Sequence, residues 1–107
     1  MLASSTFVTT ENALRYKQAL AKHFAHKITV HETASDATFH FDAGTGRAAV
    51  GTDGLLLEAH APKAADLETI QSVLESHLKR FAFREPFDRL DWQGCALPAV
   101  PITAARS

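Results

Sequence analysis

The longest helical pattern in the chain ends in the sequence His77-Leu78-Lys79-Arg80-Phe81-Ala82-Phe83-Arg84-Glu85, directly before Pro86. At 100° per residue, one apolar stripe runs along this pattern through Leu67, Ile70, Leu74, Leu78 and Phe81. The pattern therefore predicts a helix that begins after Pro62 and buries this stripe in the core. Phe83 falls opposite Phe81, so either the helix loosens before Pro86, or the tail or a partner covers Phe83.

Three basic side chains follow one another along the flank of this stripe. His77, Arg80 and Arg84 are spaced by three and four residues, which makes them neighbours on a helix surface. One interpretation is a site for an anion or a carboxylate partner. The other is that the arginines cover apolar surface with their stems while His77 packs at the boundary of the core.

Upstream of this helix, three turns separate four predicted strands and set their registers. The turns are a two-residue turn at 53–54 and four-residue loops at 43–46 and 33–36, and they pair Val50 with Leu57, Asp42 with Arg47, and Glu32 with Ala37. One face of this antiparallel meander is apolar, and it comprises Ile28, Val30, Phe39, Phe41, Ala48, Val50, Leu55 and Leu57. The other face is polar, and it comprises Thr29, His31, Thr38, His40, Asp42, Arg47, Glu58 and His60.

The rest of the chain completes an α+β pattern. A short strand is predicted over 4–9, a first helix over 13–27 and a last extended segment before residue 94. We expect two antiparallel helices on one face of a single, mostly antiparallel sheet, an order that resembles TATA-binding-protein-like and helix-grip folds. Residues 1–93 are expected to form one domain, and residues 94–107 an irregular C-terminal tail.

Composition excludes several classes of protein. The chain has 107 residues, of which 46% are hydrophobic and 21% charged, as in an ordinary globular domain. The net charge of −1 provides no general attraction to nucleic acid. No signal peptide or membrane-length apolar run is present, and Cys95 has no second cysteine to pair with, so we expect a cytoplasmic protein that binds neither nucleic acid nor membrane.

In antiparallel helices that lie side by side on a sheet, matching flanks point either toward each other or both outward. If they point inward, the two helices turn basic flanks toward a common groove. The predicted ligand-binding residues of this groove are His23, His26, Lys27, His77, Arg80 and Arg84. One candidate ligand is a small anion, such as a phosphate, a carboxylate or haem propionates. The other is a metal ion bound by His23, His26 and His77 with a carboxylate such as Glu85, although Lys22 and Lys27 would repel a cation.

The polar face of the sheet offers a second candidate surface. There the predicted registers place His40 and Glu58 on either side of Ala49, and His60 beside Arg47. This surface is interpreted either as a solvated hydrogen-bond ladder or, with Leu56 adding apolar area, as a contact between two copies of the chain. No nucleophile elbow or glycine-rich phosphate loop is present, which makes an enzyme, such as a metal-dependent one, the less favoured class.

Several blocks resemble a small bacterial family, domain of unknown function 2218. They are Arg15-Tyr16, Leu20, Lys22-His23-Phe24-Ala25-His26-Lys27 and the block from His77 to Glu85, within a similarity that spans about Thr6 to Trp92. The family has no established activity, so the resemblance implies no catalytic residue. It does imply an association with siderophore-interacting flavoproteins, and through them a link to iron handling.

Overall fold

The structure is a computed structural model that describes residues 2–82, 90 and 92–98. Six strands and two helices are formed within this part of the chain. The strands are β1 (Leu2–Thr9), β2 (Thr29–Glu32), β3 (Asp36–Phe41), β4 (Gly44–Val50), β5 (Gly54–Ala61) and β6 (Gln93–Pro98). The helices are α1 (Ala13–Ala25) and α2 (Ala64–Phe81).

The six strands form one antiparallel sheet in the order β2-β3-β4-β5-β1-β6. Strands β2 to β5 make the predicted meander. β1 pairs along its whole length with β5, from Leu2 opposite Ala61 to Thr9 opposite Gly54, and lies between β5 and β6. The predicted fold class, two helices with one antiparallel sheet, is confirmed.

One hairpin register is confirmed, and the registers of the other two hairpins are shifted. Glu32 pairs with Ala37 as expected. Val50, however, pairs with Leu55 rather than with Leu57, because residues 51–54 form a four-residue loop in which the amide of Gly51 donates to the carbonyl of Gly54 at 2.8 Å. The Asp-Gly signal was correctly assigned to a turn, but the turn is longer than the predicted two residues.

The hairpin between β3 and β4 is also shifted. Phe41 pairs with Gly44 across residues 42–43, so Arg47 faces Thr38 rather than Asp42. Both registers differ from the predicted ones by an even number of positions. Since side chains alternate between faces with a period of two, the predicted apolar and polar faces survive both errors.

Both helices pack on the apolar face of the sheet. The predicted stripe of α2 is buried at Leu67, Ile70, Leu74 and Leu78, and Phe81 packs against the core with part of its surface exposed. The matching face of α1 buries Tyr16, Leu20 and Phe24. Beneath them lie fully buried residues of strands β3, β4 and β5, namely Phe39, Ala48, Leu55 and Leu57. The polar face of the sheet, called here the open face, has no helix on it among the described residues.

The bounds of α1 and β6 differ from the predicted ones. α1 ends at Ala25 rather than at residue 27, and α2 ends at Phe81, where the amide of Ala82 donates to the carbonyl of Leu78 at 2.8 Å. The predicted extension of α2 through residues 83–85 lies outside the described residues. β6 includes residues 94–98, which are therefore a strand rather than the start of an irregular tail. Within the part of the chain that the structure describes, neither helix combines the length and apolar character needed to cross a bilayer.

Candidate functional site

The structure brings the two imidazoles of His23 and His77 into contact. His23 lies in the last turn of α1, and its ring centroid is 4.7 Å from that of His77 on α2. Phe24 anchors the pair to the sheet, because its ring lies 5.0 Å from His77 and 5.1 Å from Phe39. The ring of Phe81 lies 5.9 Å from His23 on the other side. The basic flanks of the two helices therefore meet at His23 and His77.

The hydrogen bond of His77 determines its tautomer. Its Nδ1 lies 2.8 Å from the backbone carbonyl oxygen of Val73, one helical turn earlier. A carbonyl oxygen accepts only, so Nδ1 must carry the hydrogen. In the neutral ring, Nε2 of His77 is then an unprotonated acceptor.

The ring of His23 contains an unsatisfied nitrogen. Its Nε2 is buried and has no hydrogen-bond partner among the described residues. Burial lowers the pKa of His23, and electrostatic interactions with His77, Lys27, Arg80 and His26 lower it further. A buried polar atom without a partner is uncommon in folded proteins, and it marks this place as one to explain.

Basic side chains surround the imidazole pair. Lys27 and His26 follow the end of α1, Arg80 follows His77 by three residues on α2, and all three are exposed. We call His23, Lys27, His77 and Arg80 the inter-helix site. Of the six predicted ligand-binding residues, the structure thus places five in one neighbourhood, and Arg84 lies outside the described residues.

Among the described residues, no complete set of metal ligands forms at the inter-helix site, and the predicted carboxylate Glu85 lies outside them. The described residues contain no group of three or more His, Cys, Asp and Glu side chains that could hold one, and this includes the predicted set of His23, His26 and His77. The charges near His23 also disfavour a metal ion. The groups that act on His23 include the cations Lys27 and Arg80 and no carboxylate, so the local potential repels a cation. A metal-dependent enzyme gains no support from this geometry.

The open face contains a charge ladder in place of the predicted neighbours. Arg47 donates to Asp36 at 2.7 Å and to Glu58 at 3.1 Å. Hydrogen bonds from Arg47 and Thr33 lower the pKa of Asp36, and the bond to Asp36 raises the pKa of Arg47 although burial opposes it. These pairs are partly exposed, so their contribution to stability is small.

The register shifts change which residues are neighbours on the open face. Ala49 lies between Asp36 and Leu56, not between His40 and Glu58. His60 lies opposite Thr45 rather than beside Arg47. His40 instead contacts His31 on β2, with ring centroids 5.1 Å apart. The prediction of the pairs was therefore wrong, while the prediction that these side chains share one face was right.

Sequence reasoning missed a buried lysine. Lys17 of α1 is 1% exposed, and its Nζ donates to Glu32 Oε2 at 2.9 Å and to the carbonyl of Thr33 at 2.8 Å. The available signal was its spacing, because Lys17 lies four residues from both Ala13 and Ala21 on the apolar face. Its role is structural, since it fastens α1 to the turn between β2 and β3.

A second missed cluster lies on the other flank of α2. Glu75 accepts from Lys79 Nζ at 3.1 Å and from Trp92 Nε1 at 3.2 Å, beside an open cleft of about 340 Å³. Burial alone would raise the pKa of Glu75, but the bonds from Lys79, Trp92 and the Leu90 amide outweigh it, so the pKa is lowered. The carboxylate is already satisfied by these donors, and it ties α2 to the segment before β6.

The fold and the inter-helix site together define a small α+β domain in which an imidazole pair lies between two helices, with Lys27 and Arg80 beside it. The chain belongs to DUF2218, a family of uncharacterized proteins conserved in bacteria, whose model matches residues 5–93. This confirms the predicted family. Membership assigns no ligand and no reaction.

A solved structure supports the architecture independently. The NMR structure of PA4090 from Pseudomonas aeruginosa is similar to this chain, with 31% sequence identity and a TM-score of 0.75. The similarity covers 87% of this chain and 96% of that one. None of the curated proteins that were compared matches the chain.

Proposed function

We propose that this protein is a non-enzymatic binding domain that captures a small anionic ligand at the inter-helix site. The observation that carries the proposal is the buried Nε2 of His23, which has no partner among the described residues and lies next to His77, with Lys27 after α1 and Arg80 on α2 nearby. Unsatisfied polar groups cost free energy in a folded protein, so their persistence at one place is typical of a functional site.

The charges around the pair favour an anion. Arg80 and Lys27 supply exposed donors, and hydrogen bonds from cations to oxyanions are among the strongest in proteins. The C-terminal end of α1 acts in the opposite direction, because helix C-termini carry partial negative charge. That effect is reduced here, since the amides of Lys27 and Ile28 each donate to the carbonyl of Phe24 at 2.9 Å.

Iron-related anions are the ligand class that we propose to test first. Haem propionates and the oxyanion groups of ferric siderophores have the charge that Arg80 and Lys27 would bind. A siderophore-interacting flavoprotein as partner, and action in the cytoplasm, complete the proposal. What supports this narrower form is the charge of the site together with the resemblance described above.

Removal of the cations is expected to weaken binding strongly. Isothermal titration with haem, ferric siderophores and inorganic phosphate should find a ligand whose affinity falls about tenfold or more in Arg80→Ala, since a charged hydrogen bond contributes roughly 1.5 kcal/mol. His77→Ala should have a similar effect. Arg15→Ala, which removes an exposed arginine from α1 away from the site, is the matched control and should bind normally. Binding unchanged by both site variants would count against the inter-helix site.

A second candidate function is that of a homodimeric interaction module that uses the open face. Phe7 is 50% exposed there and lies directly opposite Leu56 on β5, which makes an apolar row on an otherwise polar surface. The ladder of Asp36, Arg47 and Glu58 contains both signs of charge, so two copies related by a two-fold axis can pair opposite charges. These two features favour a second copy of the chain as the occupant.

The oligomeric state tests this second candidate. Light scattering at high protein concentration should show a dimer that Phe7→Ser converts to a monomer without loss of helical circular dichroism. Leu14→Ser is the matched control, because Leu14 on α1 is 48% exposed and does not lie on the sheet. A wild-type protein that stays monomeric at all concentrations would remove the idea.

A further inference from the structure

We infer that the inter-helix site binds its oxyanion together with one proton, which is shared among the ligand and the imidazoles of His23 and His77. This inference rests on the proposed function, and it adds the form in which the ligand binds. It predicts that anion affinity and proton uptake are linked at this site. The argument depends on the tautomer of His77, on the contact between the two rings and on the charges that surround them.

The tautomer of His77 leaves it unable to donate to an anion when neutral. The carbonyl of Val73 holds the only hydrogen of the neutral ring on Nδ1. Nε2 then presents a lone pair, which repels an approaching oxyanion. Protonation of the ring converts Nε2 into a charged donor without breaking the bond to Val73. An alternative with the same outcome is that the ligand brings its own hydroxyl hydrogen to Nε2.

The surroundings of His23 disfavour its charged form. The groups that act on His23 are Lys27 and His26 from α1, and His77 and Arg80 from α2, while the sheet beneath Phe24 contributes the apolar rings of Phe39 and Phe41. All four of the acting groups are cationic or become so on protonation, and each lowers the pKa of His23 in addition to the effect of burial. The two rings, 4.7 Å apart, therefore resist carrying two charges at once.

A bound anion reverses this balance. Its negative charge offsets Lys27 and Arg80 and favours a protonated imidazole, so the complex holds more protons than the free protein. By linkage, affinity rises as the pH falls, up to about tenfold per pH unit when one full proton is taken up. The rise ends where the free protein already carries that proton. The ligand class is thus an oxyanion that either takes a proton from solvent on binding or carries one itself.

Sulfate is a suitable probe because its own charge is constant across the useful range of pH. Isothermal titration of the full chain with sulfate, from about pH 5.5 to about pH 8 around the unperturbed histidine pKa, gives the affinity at each pH. Repeating each titration in two buffers of different ionisation enthalpy gives the number of protons taken up. We expect uptake approaching one proton per sulfate near neutral pH, with affinity that falls as the pH rises.

Substitutions of single histidines show which imidazole takes up the proton when sulfate binds. His77→Gln keeps a neutral side chain of similar reach but cannot be protonated, and it should reduce both the uptake and the pH dependence. His40→Gln is the matched control, because His40 is an exposed imidazole on the open face of the sheet and should leave the uptake unchanged. If His77→Gln does not fold, ¹⁵N spectra of the wild-type histidines replace it. They should show His77 with its hydrogen on Nδ1, and a titration of His23 or His77 that shifts to higher pH when sulfate is added.

The outcomes separate this inference from the proposed function. Sulfate binding without proton uptake, or uptake that persists unchanged in His77→Gln, overturns the inference and leaves anion binding intact. A His77 with its hydrogen on Nε2 also overturns it. Binding of haem or a siderophore without any binding of sulfate or phosphate overturns the inference alone. If no anion binds at any pH, both the inference and the proposed function are overturned.

Discussion

Gly44→Ala is expected to lower the free energy of unfolding by roughly 3 kcal/mol or more, among the largest effects of any single methyl group. Gly44 begins β4 with φ of 157°, and a β-carbon there would lie 2.1 Å from the carbonyl oxygen of His60 and 2.9 Å from Ile70 Cδ1. The first neighbour is backbone of β5, which cannot rotate away. The sheet and α2 would have to separate to admit the methyl group. Urea unfolding followed by circular dichroism measures the loss.

Gly51→Ala is the matched control for this prediction. Its added β-carbon would meet only Gly54 O at 3.5 Å and Phe7 Cε1 at 3.6 Å, which are ordinary contacts. We expect a change within about 1 kcal/mol, because alanine also restricts the unfolded chain. Equal losses in the two variants would show that glycine is needed at Gly44 for its flexibility and not for the close approach of β5.

Lys17→Ala is expected to destabilise the fold by about 3 kcal/mol. The variant removes a buried stem from under α1, and it leaves the carbonyl of Thr33 without its ammonium donor. Glu32→Ala is expected to cost about 2 kcal/mol, because the buried ammonium of Lys17 loses its carboxylate partner and keeps only the carbonyl of Thr33. The cost stays below that of a fully buried pair since the side chain of Glu32 is 41% exposed.

Lys17→Met separates the two causes. Methionine keeps most of the apolar stem and removes the charge, so we expect a loss of about 1 kcal/mol. Lys22→Met, at an exposed lysine of the same helix, should change stability by less than about 0.5 kcal/mol. The denaturant concentration at the midpoint of unfolding, compared at a constant m-value, gives the change in stability of all four variants. If Lys17→Met were as damaging as Lys17→Ala, the ion pair and not the packing of the stem would dominate.

Local patterns were sufficient for much of the architecture. The stripe from Leu67 to Leu78 predicted the buried face of α2, and the alternation in β3 to β5 predicted both faces of the meander. The turn positions followed from glycine and aspartate, but the turn lengths did not. Two registers were therefore wrong, and only their even shifts preserved the faces.

The candidate site was predictable in part. The helical positions of His23 and His77 placed them on matching flanks, which could face each other or both point outward. The structure brings their rings to 4.7 Å from each other. Their chemistry was not predictable. The carbonyl that sets the tautomer of His77, the burial of Nε2 in His23 and the absence of a metal-binding trio among the described residues all depend on three-dimensional packing.

The sequence by itself determined the elements of this protein, their apolar faces and its family, because these depend on periodicity and on short blocks of residues within one element. The tertiary structure decided what lies next to what. The pairing of β1 with β5, the anchoring of Lys17 by Glu32 and the contact between the two imidazoles all join residues far apart in the chain. Such contacts form only when the whole apolar face is buried at once, so no local pattern contains them.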